Sequence, residues 1–309
     1  MIQLTWWSLE DLFTQWSPGN VPPTRIALLI NLPSSDERPL LLEHLLHEAG
    51  RSPGVEDETG LFLRGLRPLL MKGLEQADLQ VLQAGHAGVW VGLQRAAALL
   101  ETGRVDVCLV GGVDSYLDGP TLEWLDATRK LKTPERPVGL MPGEGAAFLA
   151  VEKARTARAR GLHTLAQFGP LSMGEEPGGY GDGDFRPLGV ELASVLVDSI
   201  QRNPTKERDI SVLLMDLNGQ EARAMDWGHA LVRCASAVEK LGRMRQWIPA
   251  SSFGDVGGAT AAFLMCIAVR AFSRGYALGH ELLLSCCSEQ GLRGALILKA
   301  PGSRSMCLR

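Results

Sequence analysis

The 309-residue sequence has few aromatic residues, no long apolar run and no excess of basic residues. Its longest uncharged apolar stretch, residues 261–269, ends at Arg270 and falls well short of the roughly 18 residues that a membrane-spanning helix needs. The first 24 residues lack the basic start and the apolar run of a signal peptide. We therefore expect a cytoplasmic protein that does not enter a membrane.

The charge pattern argues against a nucleic-acid partner. The formal net charge is −4 and the pI is near 5.9, whereas proteins that follow phosphate backbones carry a clustered Lys/Arg excess. The longest basic stretch, residues 152–161, spaces its charges as the solvent-exposed face of a helix does.

Sites for metals, phosphates and disulfides are also missing. The sequence has no CxxC pair, so we expect neither zinc nor a disulfide framework, but buried free thiols. The adjacent Cys286 and Cys287 are predicted core residues. His44 and His47 are one helical turn apart without a third ligand nearby, which favours two exposed histidines. The glycines of residues 178–184 are not followed by Lys-Ser/Thr, so residues 173–187 are predicted to form a surface loop, and no cofactor is expected.

Apolar runs alternate with helical patterns along the chain. Apolar residues make up 45% and charged residues 21%, which is typical of a globular protein. The predicted strands are residues 25–33, 79–83, 105–112, 145–152, 212–216, 282–286 and 294–299. The predicted helices are residues 40–49, 61–76, 89–100 and 259–272. This alternation indicates an α/β protein with a largely parallel sheet.

The order of elements is repeated, which indicates an internal duplication. Two glycine-rich turns, residues 84–88 and 252–258, each open an apolar helix. The strand GAAFLAV at residues 145–151 matches GALILK at residues 294–299. We expect two halves, residues 1–165 and 166–309, that form one compact unit.

Two motifs carry a resemblance to a known family. The stretch GRVDVCLVGGVD at residues 103–114 and MPGEGAA at residues 141–147, with Arg136-Pro137 before it, resemble the β-ketoacyl synthase branch of the thiolase superfamily. The resemblance is good over residues 84–161 and fainter over residues 211–300. It implies a five-layered α/β/α/β/α fold, here with a shortened first half.

The resemblance also implies which positions hold the family's catalytic Cys-His-His set. Counting back without gaps, the nucleophilic cysteine corresponds to His86, and a gapped alignment gives Gly85 instead. The first histidine corresponds to Asn218, the lysine to Ala250 and the second histidine to Asp255. An imidazole cannot hold an acyl group as a stable thioester, so condensing activity is not expected.

Further consequences follow for the gate loop and for assembly. The family's Gly-Phe-Gly-Gly loop is replaced by residues 288–293. Family members dimerise through the strand before the nucleophile, so Leu79, Val81 and Gln83 mark the candidate dimer edge, because an unpaired strand edge favours association. The expected partner is a second copy or a related ketosynthase-like protein.

Three functional hypotheses remain open. The first is a noncatalytic subunit or scaffold comparable to the chain-length factors that pair with active ketosynthases. The second is an adaptor or chaperone for a type VI secretion toxin. The third is an acyl-thioester hydrolase or acyltransferase that uses His86 with Asn218 and Asp255. Separately, Trp6, Trp7 and Trp16 fit either a partner-docking surface or the cover of an exposed flank.

Overall fold

The computed structural model describes residues 1–15, 25–34, 58–70, 73–180, 186–205 and 207–302. The strands are β1 (Ile26–Leu32), β2 (Asp78–Gln83), β3 (Val107–Ser115), β4 (Glu144–Val151), β5 (Gln167–Glu175), β6 (Ile210–Met215), β7 (Arg245–Trp247), β8 (Glu281–Cys287) and β9 (Leu292–Lys299). The α-helices are α1 (Ile2–Gln15), α2 (Glu58–Leu66), α3 (Gly88–Glu101), α4 (Gly119–Ala127), α5 (Ala154–Ala159), α6 (Val190–Gln201), α7 (Glu221–Cys234), α8 (Ala250–Phe253) and α9 (Thr260–Arg274).

The strands form two sheets with the same topology. The first sheet has the order β2-β1-β3-β4 and the second has the order β7-β6-β8-β9-β5. In each, the first three strands are parallel and the fourth is antiparallel to its neighbour. The second sheet carries one further strand, β5, antiparallel to β9. The predicted duplication of α/β halves is confirmed.

The layers follow from strands that are apolar on both faces. On β1, Leu29 faces the helices between the sheets and Leu28 faces the outer helices, as the two-residue period of a strand requires. Helices α3 and α9 fill the space between the two sheets. Helices α1 and α2 cover the outside of the first sheet, and α6 and α7 cover the outside of the second. The α/β/α/β/α arrangement is therefore confirmed.

Two predicted elements were wrong in part. The helix predicted over residues 61–76 ends at Leu66, because Pro68 lies in the following 3-10 turn and cannot donate a backbone hydrogen bond to continue the helix. The loop predicted over residues 173–187 begins inside β5, since Met173 pairs with Gly294 across the sheet. The helix predicted over residues 40–49 lies outside the described residues. Of the helices that are described, none has both the length and the apolar character needed to cross a bilayer.

The halves approach each other closely at two glycines, Gly112 and Gly258. Gly112 on β3 packs against the 3-10 turn Gly257–Ala259 that opens α9. A Cβ atom on Gly112 would lie 2.2 Å from the carbonyl oxygen of Gly258, which is closer than real Cβ contacts allow. Only glycine at position 112 therefore permits this approach.

The substitution Gly112→Ala should force the two halves apart and lower the free energy of unfolding by about 1–3 kcal/mol. Equilibrium unfolding in urea measures this loss. Gly119→Ala is the matched control, because a Cβ atom on Gly119 would meet no atom within 4 Å. Equal stability of the two variants would contradict the proposed role of the close approach.

Candidate functional site

Three turns meet near the centre of the molecule. His86 lies in the 3-10 turn Gly85–Ala87, which connects β2 to α3. Asn218 follows β6, and Asp255 precedes the 3-10 turn that opens α9. The structure thus brings together three of the four positions that the resemblance singled out, although they lie far apart in the sequence.

The three side chains form one buried hydrogen-bonded group. The Nε2 atom of His86 lies 2.9 Å from each carboxylate oxygen of Asp255. The Nδ2 atom of Asn218 donates to Oδ2 of Asp255 at 2.6 Å, and the backbone N–H of Gly257 donates to Oδ1 at 2.8 Å. His86 is 1% exposed and Asp255 is 2% exposed. The carboxylate is thereby surrounded by donors and removed from bulk water.

The charge state of Asp255 follows from these partners. Burial by itself would raise the pKa of the Asp255 carboxyl. The charge on His86 and its hydrogen bond, together with Arg223 and the amide of Asn218, outweigh burial and hold the pKa well below its ordinary value. Asp255 is therefore ionised at neutral pH and accepts hydrogen bonds from its buried neighbours.

The backbone around His86 is fixed by a side chain from the end of β1. The Nδ2 atom of Asn31 donates to the carbonyl oxygens of Gly85 and Gly258, each at 2.8 Å. Asn31 is fully buried and touches both glycine-rich turns. This residue was not predicted as part of the site, although a polar residue at the end of an otherwise apolar strand was a visible signal.

Ser288, which follows β8, forms hydrogen bonds with the backbone at the start of α3. The Oγ atom of Ser288 accepts a hydrogen bond from the backbone N–H of Ala87 at 2.9 Å and donates to the carbonyl oxygen of Ala84. The Sγ atom of Cys286 lies 3.3 Å from the carbonyl oxygen of His86. The segment at residues 288–293, which the resemblance aligned with a gate loop, therefore packs directly onto the His86 turn.

Ala250, the fourth aligned position, lies half-buried in α8 and lines a cavity of about 20 Å³ with Asp216, Asp255 and Phe263. A water molecule needs roughly 10–15 Å³ of such space, so this cavity holds about one water.

A buried charge network lies beside the site and was not predicted from the sequence. Arg223 on α7 forms an ion pair with Asp216 and a second one with Glu289 at 2.7 Å. Arg293 lies 3.4 Å from Asp226, and the hydroxyl of Tyr180 donates to the same carboxylate at 2.7 Å. These contacts tie α7 to the residues around Ser288. Neither arginine stands in a motif, so no local pattern indicated that they would be buried.

The remaining predicted residues are half-buried or exposed, or they lie outside the described residues. Strand β2 is an edge strand of the first sheet, with Leu79 and Val81 half-buried and Gln83 exposed. Trp7 is 54% exposed on α1 and Trp6 is half-buried. Trp16, His44, His47 and Cys307 lie outside the described residues. The other cysteines are free and the described residues hold no group of three metal-ligating side chains.

Comparison of the sequence with known proteins found relatives among polyketide synthases, and no family model matches. The chain is 33% identical over 106 residues to a protein of Streptomyces cyaneus named as polyketide β-ketoacyl synthase 1. It is 32% identical over 150 residues to an actinorhodin polyketide β-ketoacyl synthase 2 of Streptomyces coelicolor. These matches cover 30% and 46% of this chain, but only 25% and 35% of the two relatives.

Solved structures with a similar fold are ketosynthases. The chain matches a type II PKS ketosynthase in complex with its acyl-carrier protein (TM-score 0.71, 13% identity, 94% of this chain and 81% of that one). It also matches the ishigamide ketosynthase/chain length factor with a TM-score of 0.69 and 16% identity, over 90% of this chain and 76% of that one. A third match is the ketosynthase from module 6 of the Bacillus subtilis bacillaene synthase, with a TM-score of 0.66 and 13% identity, over 89% of this chain and 54% of that one. The chain therefore has the thiolase-like fold, and these relatives and structural neighbours are β-ketoacyl synthases.

Replacing Asp255 by asparagine should expose the role of the buried carboxylate. At pH 7 the substitution Asp255→Asn removes the charged acceptor shared by His86, Asn218 and Gly257 and should lower the free energy of unfolding by about 1–3 kcal/mol. Because the folded-state pKa of Asp255 is depressed, its contribution is fully present above its unfolded pKa near 4 and is lost as the pH falls further. Chemical unfolding from about pH 5.5 to about pH 3 should therefore show the difference between wild type and variant shrinking only below about pH 4.

The control for this measurement is Glu239→Gln, which removes an acid whose side chain is 80% exposed. It should leave stability essentially unchanged across the same range. A difference between wild type and Asp255→Asn that stays constant down to pH 3 would show that Asp255 is not a depressed carboxylate.

Proposed function

We propose that this chain, which has the thiolase-like fold of the β-ketoacyl synthases, is a noncatalytic ketosynthase-like subunit that acts through a protein partner. The observation that carries this proposal is the closed turn at His86, where an imidazole bound to Asp255 occupies the position aligned with the nucleophile. His86 is buried, Asp255 contacts its side chain, and Ser288 forms hydrogen bonds with the backbone of its turn.

The chemistry of acyl transfer requires groups that this turn does not offer. A ketosynthase reaction needs a thiolate to carry the acyl group and backbone N–H groups that are free to stabilise the developing oxyanion. Here the N–H of Ala87 is already bound to Ser288. Acylation of His86 at Nε2 would also have to break the contact of that atom with Asp255.

The space around the site supports the same conclusion. The cavity beside Asp255 has a volume of about 20 Å³ and is bounded by Phe263 and Leu264. Pockets that enclose small-molecule ligands are roughly 300–1,000 Å³. An extended acyl chain would require these side chains to move.

The proposed partner surface is the outer edge of β2. Its Leu79 and Val81 are half-buried on a strand that has one neighbour, β1, in the described sheet. An edge strand offers unpaired backbone groups for pairing with another chain. Among the structural neighbours are a ketosynthase/chain length factor and a ketosynthase bound to its acyl-carrier protein. We therefore propose a dimer with a second copy or with a related ketosynthase-like chain.

One observation favours a second function, hydrolysis or transfer of acyl groups by His86. A histidine held by a buried carboxylate at 2.9 Å is the arrangement of a general base. Its burial argues against it, since a base must reach the proton that it removes. The type VI adaptor hypothesis stays a prediction, because the site contacts do not bear on a secretion system.

Incubation with hexanoyl-N-acetylcysteamine, a simple acyl thioester, should leave the intact mass of the protein unchanged. Thiol release should stay at the rate of the buffer, and His86→Ala should not alter it, because no nucleophile is accessible. An active ketosynthase assayed in parallel provides the positive control. Thiol release that depends on His86 would contradict the noncatalytic proposal and favour the alternative function, hydrolysis of acyl thioesters.

Light scattering of the purified 33.4 kDa chain tests whether the β2 edge forms a dimer interface. If the partner is a second copy, the wild type should have twice the chain mass, and Val81→Lys should shift it to the monomer because the charge repels strand pairing. Val232→Lys, at a 74% exposed position on α7, is the matched control and should not alter the mass. A thermal unfolding curve verifies that each variant is folded.

A monomeric wild type would direct the search to a different chain. Affinity purification of the tagged protein from its native host, with and without Val81→Lys, should then recover a ketosynthase-like partner only from the wild type. A partner whose recovery does not depend on Val81 would contradict the proposal for β2.

A further inference from the structure

A short segment after β5 lies across the turn that follows β8. The backbone N–H of Glu176 donates to the carbonyl oxygen of Gly291 at 2.8 Å. The backbone N–H of Tyr180 donates to the carbonyl oxygen of Glu289, also at 2.8 Å. We call residues 176–180 the crossing segment.

Tyr180 holds the far end of the crossing segment. Pro177 and Gly178 are exposed, and Gly179 has no side chain. A Cβ atom on Gly179 would lie 1.8 Å from a carbonyl oxygen of the turn beneath it, so the two backbones are in close contact. Tyr180 packs against the core cluster on the outer side of the second sheet. Past Glu176, the position of the segment is therefore set mainly by this side chain and this backbone contact.

Two buried arginines lie over the ring of Tyr180. The Cζ atoms of Arg223 and Arg293 lie 4.9 Å and 4.7 Å from the centre of the ring. Both arginines are fully buried, and the Nε atom of each has no hydrogen-bond acceptor among the described residues. A guanidinium ion this close to an aromatic ring is attracted by the negative face of the ring. Tyr180 therefore supplies part of the stabilisation that these buried N–H groups need.

The hydroxyl of Tyr180 adds a second contact to this group. It donates to Oδ2 of Asp226 at 2.7 Å, and Nη2 of Arg293 lies 3.4 Å from the same oxygen. Both the ring and the hydroxyl of Tyr180 thus contribute to the position of Arg293.

The same arginines fix the backbone where β8 passes into the turn. Nη1 of Arg223 donates to the carbonyl oxygen of Cys287 at 2.5 Å. Nη1 of Arg293 donates to the carbonyl oxygen of Ser288 at 2.9 Å. Ser288 is the residue whose hydroxyl binds the backbone N–H of Ala87. A continuous series of contacts therefore leads from Tyr180 to the turn that contains His86.

We propose that the crossing segment is a latch: Tyr180 holds the two arginines that fix Ser288 on the His86 turn, and displacement of this segment alone opens the turn and exposes His86. The inference rests on the closed site of the proposed function and adds what keeps it closed. A segment held by a few contacts opens at a lower cost in free energy than the packed sheet beneath it.

Hydrogen exchange of the full chain, resolved by residue and measured at increasing low concentrations of urea, tests the latch. The Ala87 amide should exchange through a local opening, so its rate should depend only weakly on urea. The amide of Leu283, on the central strand β8, should exchange by global unfolding and depend steeply on urea. Equal urea dependence at the two amides would show that the turn opens only when the whole protein unfolds, which contradicts the latch.

The variant Tyr180→Ala should raise the exchange rate of the Ala87 amide about 10- to 100-fold, because the closed state loses two cation–π contacts and one hydrogen bond. Tyr180→Phe keeps the ring and should raise the rate less than about tenfold. Gly179→Ala keeps every other side chain and should also raise the rate, because its Cβ atom pushes the segment off the turn.

Tyr276→Ala is the matched control. Tyr276 is 46% exposed after α9 and stacks on Trp247, with ring centres 5.9 Å apart. This contact persists when the crossing segment opens, so the variant should leave the Ala87 rate unchanged even where it lowers overall stability. An Ala87 rate that Tyr180→Ala does not change, or that Tyr276→Ala changes equally, would overturn the proposal.

Diethyl pyrocarbonate measures access to His86. The reagent transfers an ethoxycarbonyl group to an imidazole nitrogen and releases ethanol and carbon dioxide. Peptide mapping should show that His86 reacts about tenfold faster in Tyr180→Ala than in the wild type. The exposed His280 should react at the same rate in both proteins. A His86 that stays unmodified in Tyr180→Ala would contradict the proposal.

These tests are separate from the test of the noncatalytic proposal. A turn that stays closed in Tyr180→Ala would overturn the latch and leave the noncatalytic proposal unaffected. Thiol release by the wild type that depends on His86 would contradict the noncatalytic proposal without bearing on the exchange rates that Tyr180 controls.

Discussion

The contact between the two glycine-rich turns, fixed by the side chain of Asn31, is the constraint on which the remaining structure depends. One amide group donates to a carbonyl oxygen of each turn and so joins the first half of the chain to the second. A Cβ atom on Gly88 would lie 2.0 Å from Oδ1 of Asn31, so this arrangement requires a glycine at the start of α3. The positions of α3 and α9 between the sheets, and of His86 at their junction, follow from this contact.

The buried contact between His86 and Asp255 lies at positions that the resemblance aligns with catalytic residues of the ketosynthases. A buried carboxylate is costly unless donors surround it, and here His86, Asn218 and the backbone of Gly257 supply them. These hydrogen bonds offset the cost of burying the carboxylate, and a substrate would have to displace them to reach the turn.

Function would then lie at an edge of the first sheet rather than at its centre. Among the described residues, strand β2 ends the first sheet on one side and β4 ends it on the other. The second half provides an internal comparison, because its strand β9 pairs with β5 while β4 has no described counterpart of that strand.

The sequence by itself determined the layered α/β fold, the duplication and the identity of the residues at positions 86, 218, 250 and 255. Strands buried on both faces read as short apolar runs, and glycine-rich turns mark the starts of the central helices, so these features are local. Only the tertiary structure decided that His86 meets Asp255, 169 positions away, and that Arg223 is buried beside the site. It also decided that β5 pairs with β9 and that Ser288 closes the His86 turn. Such contacts join distant segments, and no periodicity or spacing within a short window encodes them.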